Sequence, residues 1–126
     1  MPPDLHSLDL FERPAQQPIA PGAVLLHGFA LADAAQLLAD IAQVTSAAPL
    51  RHLITPGGFR MSVAMSNCGA LGWVSDETGY RYSATDPTSG QRWPAMPAAF
   101  RALAAIAAAQ AHFEHFEPDA CLINRY

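Results

Sequence analysis

Hydrophobic residues in the first half of the chain follow a short continuous run and then a helical rhythm. The segment AVLLHGF, residues 23–29, is a brief apolar run ended by Gly28, which is typical of a buried strand. Asp33 then lies where a helix dipole favours an acid, and Pro49 blocks continuation of a helix. Between them, apolar residues recur on one helical face at Leu37, Leu38, Ile41 and Val44. The pattern predicts a strand followed by an amphipathic helix.

A strand rhythm follows the turn signal at residues 56–58, Pro-Gly-Gly. Apolar side chains alternate there with polar or small ones, so one face of the strand is expected to be apolar. The alternating apolar positions are Phe59, Met61, Val63 and Met65. We interpret Met61 and Met65 as core packing, because methionine commonly fills core gaps.

Aromatic residues mark a predicted hairpin in the middle of the chain. Trp73 and the Tyr-Arg-Tyr run at 80–82 flank a polar loop, residues 75–79, that ends in glycine. Trp73 and Tyr80 sit on opposite arms, where cross-strand neighbours can turn two rings to one side and grip a flat base. The alternative is that both rings pack in a core. Arg81 is expected on the opposite face, away from any base.

The second half predicts a turn at residues 86–90, a helix and a last strand. The helix, from Ala98 to about Ala111, is rich in alanine and begins after Pro97, which suits a first helical turn. Residues 120–126 change from apolar to polar, as a core strand does when it runs towards an active-site opening. The proline-rich residues 1–21 are expected to be an extended arm. The fold class is α+β.

Composition excludes some functions. The net charge is −4 and all seven basic residues are scattered arginines, which argues against a protein that holds nucleic acid mainly by neutralising phosphates. It argues less against an enzyme that flips one base into a pocket, where stacking and hydrogen bonds supply recognition. Cys68 and Cys121 are expected to be free thiols rather than a disulfide. No apolar run is long enough to span a bilayer, the start does not resemble a signal peptide, and the expected location is cytoplasmic.

A metal site is not predicted within this sequence. His112 and His115 are spaced so that they could pair near a helix end, but no second cluster completes a site, and a surface pair is the better interpretation. Asn124 and Tyr126 alternate to one face of the last strand, so an amide and a phenol can reach one small polar ligand together. No phosphate-binding glycine loop and no nucleophile-and-base arrangement is recognisable.

Seven segments together resemble the AlkB family of Fe(II)- and 2-oxoglutarate-dependent dioxygenases, which repair alkylated nucleic acids. They are TPGG, MSVAM, NCG, LGW, GY-x-YS, WPAMP and PDACLINRY. The resemblance implies an amino-terminal α/β extension over residues 22–117 that contains a nucleotide-recognition lid at about 55–97. Residues 118–126 then match the first core strand of a double-stranded β-helix, or jelly roll. In that family the His-x-Asp iron ligands, a second His and an Arg-rich segment come later, so the resemblance implies a truncated, amino-terminal part.

The resemblance also implies roles for particular residues. Trp73, Tyr80 and Tyr82 match the family's base-stacking residues, and Thr55 matches a contact on the phosphate side. Asn124 and Tyr126 match residues that contact 2-oxoglutarate, whereas Arg125 does not match the family's carboxylate-binding arginine. No catalytic residue and no metal ligand is carried over to this chain.

The implied reaction is oxidative demethylation of 1-methyladenine and 3-methylcytosine in single-stranded DNA or in RNA, with Fe(II) and 2-oxoglutarate as cofactors and a monomeric complete enzyme. The acidic loop 75–78 departs from a neutral or basic lid. We expect the chain alone neither to turn over 2-oxoglutarate nor to bind iron tightly. The alternative hypothesis is a non-catalytic module or regulatory fragment that binds single-stranded nucleic acid and retains the lid.

Overall fold

The computed structural model describes residues 14–126, so most of the predicted arm, residues 1–13, lies outside the described residues. The strands and helices of the described part are, in chain order, β1 (Gln16–Ala20), β2 (Ala23–Leu26), α1 (Ala34–Ala47), β3 (Arg51–Ile54), β4 (Arg60–Gly69), β5 (Gly72–Asp76), β6 (Gly79–Ser83), α2 (Ala98–Gln110) and β7 (Ala120–Arg125). A short 3-10 turn, Leu31–Asp33, leads into α1. The mixture of helices and antiparallel strands agrees with the predicted α+β class.

The segment predicted to be a buried strand is instead half of an exposed hairpin. Within residues 14–126, strand β2 pairs only with β1, which comes from the end of the predicted arm, and the two form a separate two-stranded sheet. Val24 and Leu26 are half-buried, but Leu25 between them is 44% exposed. The prediction of burial was wrong because a short apolar run does not reveal whether both faces of a strand will be covered.

The main sheet has three antiparallel strands in the order β3-β4-β7. Helix α1 ends before Pro49, as predicted, and the Ser66 hydroxyl of β4 donates to the carbonyl of Ala48 just after the helix. The core on this side of the sheet consists of Val44, Cys68, Met96 and Ile123, with Ile41, Leu50, Phe100 and Cys121 packed against it. The helices therefore cover one face of the sheet.

The strand predicted at residues 59–66 begins one residue later and continues to Gly69. Phe59 precedes it and is 75% exposed, so its assignment to an apolar strand face was wrong. From Ala64 to Cys68 both faces of β4 are buried. The helices cover one face of this central strand, and the other face is buried as well. The alternating pattern alone did not predict that both faces would be buried.

The predicted aromatic hairpin is present as β5 and β6, which pair in register from Gly72↔Ser83 to Asp76↔Gly79. We call residues 72–83 the aromatic hairpin. Only Glu77 and Thr78 lie between the strands, so the turn is shorter than predicted. An isolated bridge between Leu71 and Ala120, and the hydrogen bond from Leu71 N–H to the Asp119 carbonyl, join the hairpin to the start of β7.

Register places the functional candidates on the sheet face opposite the helices. Met65 pairs with Asn124 and Asn67 pairs with Leu122, so these side chains share a face, while Ser66 and Ile123 share the helix-covered one. Within residues 14–126, no helix is long and apolar enough to cross a membrane.

Candidate nucleotide and co-substrate site

Two aromatic rings of the aromatic hairpin stack on each other. The ring centroids of Trp73 and Tyr80 are 5.5 Å apart and the ring planes differ by 17°, an offset stack. Their strands pair so that Tyr80 lies opposite Ser75 and diagonal to Trp73, as the hairpin pattern predicted. The rings contact each other, so in this arrangement a base is not held between them. They offer one continuous aromatic surface, on which a flat base can stack from outside.

A buried amide holds the backbone of Trp73. Asn67 is 2% exposed, and its Nδ2 donates to the Trp73 carbonyl while its Oδ1 accepts from the Trp73 N–H, each at 3.0 Å. The Asn67 side chain therefore pairs with the backbone of β5 as a neighbouring strand would, because its amide supplies both a donor and an acceptor. These two hydrogen bonds fix the backbone position from which the Trp73 ring projects.

The base of the aromatic hairpin rests on a second tryptophan. Trp93 is 5% exposed, packs with Ala48 and Val74, and donates its indole N–H to the Ser83 carbonyl at 3.0 Å. A Cβ atom added to Gly72 would overlap this indole ring. A glycine is needed here because the first strand of the hairpin passes directly over the Trp93 ring.

An ion pair anchors Trp93 from the other side. Arg51 lies with its guanidinium 5.3 Å from the Trp93 ring centroid and binds the Asp86 carboxylate through two nitrogens at 2.6 and 2.8 Å. Asp86 is 2% exposed, and hydrogen bonding from Arg51 lowers the pKa of its carboxyl below the ordinary value. Because the Asp86 oxygen also accepts from the Thr88 N–H, the predicted turn at 86–90 is fixed to β3.

Tyr82 borders a cavity rather than joining the ring stack. The side chain is directly opposite Trp73 in the register. The cavity has a volume of about 350 Å³ and is lined by Met65, Asn67, Trp73, Tyr82, Ala120 and Leu122. It lies between the aromatic hairpin and the face of β4 and β7 opposite the helices. Met65 is buried, as expected of core packing, but it also forms part of this cavity wall.

Thr55 is held near the tip of the aromatic hairpin. Its hydroxyl oxygen accepts the Phe59 N–H at 3.1 Å and its carbonyl accepts the Gly58 N–H at 2.8 Å, so it closes the predicted turn. The preceding residue, Ile54, accepts a hydrogen bond from Ser75, the register partner of Tyr80. The hydroxyl proton of Thr55 is not used in these bonds, which leaves a donor at this end of the hairpin.

Asn124 and Tyr126 come together at the end of β7. Asn124 donates from Nδ2 to the Tyr126 hydroxyl at 3.3 Å, and both side chains are exposed. The expectation that they reach one side of the strand is confirmed. The Asn124 carbonyl oxygen and the Tyr126 O–H proton stay free of this bond, so the pair can offer both an acceptor and a donor to one polar ligand.

Asp76 and Arg81 lie on the hairpin face without the stacked rings. Asp76 and Arg81 form an exposed ion pair at 2.7 Å, and hydrogen bonding from Arg81 holds the pKa of the Asp76 carboxyl well below its usual range. The prediction that Arg81 faces away from the tyrosines is confirmed by its register partner, Val74, which packs in the core. The loop that departs from a basic lid is therefore partly neutralised by its own arginine.

Metal-ligand types do not cluster in the described residues. Within 14–126, no three His, Cys, Asp or Glu side chains come together as an ion would require. His112 and His115 lie beyond the end of α2, both exposed and with positive φ of 68° and 61°. The donor set of this part of the chain does not fit an iron centre, whereas the free amide and phenol of Asn124 and Tyr126 fit a small carboxylate ligand.

Sequence reasoning missed the residues that hold the site in place. Asn67 and Trp93 gave no signal beyond belonging to the NCG and WPAMP segments, and Arg51 was treated as one of several scattered charges. A buried amide or a bidentate ion pair depends on neighbours that are distant in sequence. The signal available from the sequence was the concentration of glycine, proline and tryptophan around Gly69, Gly72 and Pro94.

Comparison with known proteins shows which family the chain resembles. The model of the 2OG-Fe(II) oxygenase superfamily matches residues 22–126. The protein named alpha-ketoglutarate-dependent dioxygenase AlkB from Salmonella typhimurium is 54% identical over 121 residues, which cover 94% of this chain and 56% of that protein. The Escherichia coli K12 protein of the same name is 53% identical over 121 residues, with the same shares. An AlkB homolog from Caulobacter vibrioides is 42% identical over 79 residues, 63% of this chain and 34% of that protein.

The chain spans about half the length of the AlkB relatives from Salmonella and Escherichia coli, which it matches at 56% of their residues. The superfamily match, in contrast, covers most of the chain and includes the aromatic hairpin and β7. The chain therefore belongs to the 2OG-Fe(II) oxygenase superfamily and is similar to its AlkB members.

Proposed function

We propose that this chain supplies the base-stacking surface and part of the 2-oxoglutarate site of an AlkB-type dioxygenase. The reaction is oxidative demethylation of N-alkylated bases, of which 1-methyladenine and 3-methylcytosine are the proposed substrates. The nucleic acid is single-stranded DNA or RNA, the complete enzyme is monomeric and its location is cytoplasmic. The fold of the complete enzyme is a jelly roll, of which β7 is the first core strand.

The observation that carries the proposal is the exposed stack of Trp73 and Tyr80. A Tyr80 ring that is 62% exposed and rests on a half-buried tryptophan leaves apolar aromatic surface in water. Stacking on such rings contributes about 1 to 3 kcal/mol per base and tolerates any base face. The acidic composition also fits a site that binds through stacking, because phosphate neutralisation is weak here.

Different residues are proposed to bind the base, the phosphate and the co-substrate. Trp73 and Tyr80 stack on the flipped base, and Tyr82 lines the cavity beneath it. The Thr55 hydroxyl donates to a phosphate at the tip of the aromatic hairpin. Asn124 and Tyr126 bind 2-oxoglutarate through the amide and the phenol.

Fe(II) together with 2-oxoglutarate supplies the oxidation of the methyl group in such enzymes. The described residues contribute binding and orientation, since Asn67 and Trp93 fix the aromatic hairpin and β7 carries the co-substrate pair beside it. We assign no catalytic residue to this chain.

The experiment that tests the proposal is fluorescence anisotropy of a single strand that carries one 1-methyladenine. Trp73→Ala is expected to weaken binding on the order of 10- to 100-fold, because one stacking ring is lost. The matched control is Phe113→Ala, which removes another exposed aromatic ring near Gly22, in a different part of the fold. Equal losses in both variants, or no binding by the wild-type chain, would refute the stacking role.

Turnover tests whether the chain alone carries any catalytic residue. With Fe(II), 2-oxoglutarate and the methylated strand, the chain alone is expected to form no succinate. Substrate-coupled succinate formation by the chain would contradict the division of roles given above. A cooperative unfolding transition of the chain alone, together with strand binding that is lost in Trp73→Ala, would favour the non-catalytic module instead.

A further inference from the structure

Two cysteines that are distant in sequence lie directly opposite each other in the main sheet. Cys68 of β4 and Cys121 of β7 are register partners, and both side chains lie on the helix-covered face. Both are free thiols. The proposed function uses neither of them.

The backbone spacing expected for such a pair falls within the range that disulfides span. Directly opposed residues of antiparallel strands have Cα atoms about 4.5 or 5.5 Å apart, depending on the type of pair. Both values fall in the range of about 4.4 to 6.8 Å that disulfides span. Cys121 packs against the buried cluster that contains Cys68.

The two thiols differ in access and acidity. Cys68 is fully buried, whereas Cys121 is half-buried and lines a groove of about 650 Å³ between the β1–β2 hairpin, the helices and the edge of β7. The hydrogen bond from Cys68 lowers the pKa of Cys121 to about 7, while that bond and burial raise the pKa of Cys68. Cys121 is therefore the nucleophile, and Cys68 keeps its proton.

We propose that Cys68 and Cys121 form a reversible oxidation site whose oxidant is a small hydroperoxide. The Cys121 thiolate attacks one peroxide oxygen, the O–O bond breaks, and sulfenic acid forms at Cys121 with release of hydroxide. The Cys68 sulfur then attacks the Cys121 sulfur, the S–O bond breaks, and the departing oxygen leaves as water with the proton of Cys68. With hydrogen peroxide, two thiols and one peroxide give one disulfide and two waters.

The oxidised form links β4 covalently to β7, the strand that also carries Asn124 on its other face. A disulfide between residues so distant in sequence constrains the unfolded chain. The urea midpoint of unfolding is therefore expected to rise on oxidation and to return when a dithiol reduces the pair. This site does not depend on the proposed function.

The test is treatment of the folded chain with hydrogen peroxide, followed by alkylation and intact mass measurement. The expected product has lost the mass of two hydrogen atoms, does not react with the alkylating reagent, and gives one cross-linked peptide containing Cys68 and Cys121. In excess dimedone, which captures sulfenic acid, the adduct is expected on Cys121 and not on Cys68. The same treatment in denaturing urea is the control, and the cross-link should form more slowly there.

Three outcomes would overturn the proposal. They are dimedone capture on Cys68, conversion of Cys121 to sulfinic acid without a cross-link, and unchanged free thiols after peroxide treatment. Cys68→Ala provides a second line, since Cys121 should then accumulate as sulfenic acid without a disulfide, provided that circular dichroism shows the variant folded. The wild-type dimedone experiment decides the matter if the variant does not fold.

Discussion

Asn67 binds both backbone polar groups of Trp73, with its amide nitrogen on the carbonyl and its amide oxygen on the N–H, each at 3.0 Å. The ring proposed to stack on a substrate base is thus positioned by a residue from the adjacent strand of the main sheet. Because Asn67 is buried, both of its hydrogen bonds are protected from competing water.

Replacement of Asn67 by alanine is expected to loosen Trp73 specifically. The variant leaves the Trp73 N–H without its acceptor, and a buried unsatisfied group costs about 1 to 3 kcal/mol. Amide hydrogen exchange should accelerate at Trp73 more than at Val74, whose register partner Arg81 lies across the aromatic hairpin.

The matched control is Ser66→Ala. It removes another buried hydrogen bond of β4, but on the helix side, where Ser66 donates to Ala48. Equal acceleration at Trp73 in the Asn67 and Ser66 variants would mean a general loss of stability rather than loss of positioning.

Acid is expected to remove the contribution of Asp86 to stability. Its pKa is lower in the folded state than in the unfolded chain, where it is about 3.9. The stabilisation is therefore complete above the unfolded value and disappears as the pH falls through the folded value. Asp86→Asn should reduce the free energy of unfolding by about 3 kcal/mol at neutral pH, because it leaves Arg51 partly buried and unpaired.

Urea unfolding of the wild type and Asp86→Asn over a pH series tests this prediction. Asp76 also has a lowered pKa but is present in both proteins, so the difference between them isolates Asp86. The difference should shrink as the pH falls below about 4. A difference that stays constant down to the acid transition would contradict the account.

Gly72→Ala is expected to destabilise the fold through steric overlap. The added methyl group would enter the space of the Trp93 ring, which is held by Ser83 and Arg51 and cannot move freely. Overpacking of this kind costs about 1 to 3 kcal/mol, measured by thermal or urea unfolding.

Gly57→Ala is the control for that substitution, because the methyl group there meets Phe59 at ordinary van der Waals distance. It should change stability by less than the Gly72 variant. Wild-type stability for Gly72→Ala would show that the aromatic hairpin does not rest on Trp93 as described.

Arg81→Gln is expected to leave base discrimination unchanged. Arg81 pairs with Asp76 on the hairpin face that lacks the rings, so it can influence nucleic acid only through charge. The ratio of affinities for methylated and unmodified strands should equal that of the wild type, whereas Trp73→Ala should weaken binding to both strands. Anisotropy titrations with the methylated and the unmodified strand measure the affinity ratio, and their repetition at a second salt concentration measures the influence of charge. A changed ratio for Arg81→Gln would make this residue a reader of the base.

The sequence predicted the helices, the central strand and the aromatic hairpin because each has a strong local rhythm or turn signal. It predicted burial less well. The segment 23–29 looked like a core strand, but in the described part of the chain its strand pairs only with β1. Phe59 matched an alternating pattern although it precedes the strand. Local pattern specifies conformation, whereas coverage of a face depends on which elements pack there.

In the candidate site, too, local contacts could be predicted and long-range contacts could not. The proximity of Trp73 to Tyr80 and of Asn124 to Tyr126 followed from strand periodicity, since these neighbours lie on one hairpin or one strand. The contact of Asn67 with Trp73 depends on how the chain turns between the end of β4 and the start of β5. The pairing of Cys68 with Cys121 depends on the register of β4 against β7. Neither could be predicted from spacing alone.

The most direct test of the central claim is a nitrogen–proton NMR titration of the chain with a short single strand that carries one 1-methyladenine. The chain has two tryptophans, so two indole N–H signals are expected, and they report on the exposed stack and on the buried support separately. The account predicts that the Trp73 signal shifts and that the Trp93 signal, bonded to the Ser83 carbonyl, stays in place. If the Trp73 signal does not move at saturating strand, or only the Trp93 signal moves, the aromatic hairpin is not the base-binding surface.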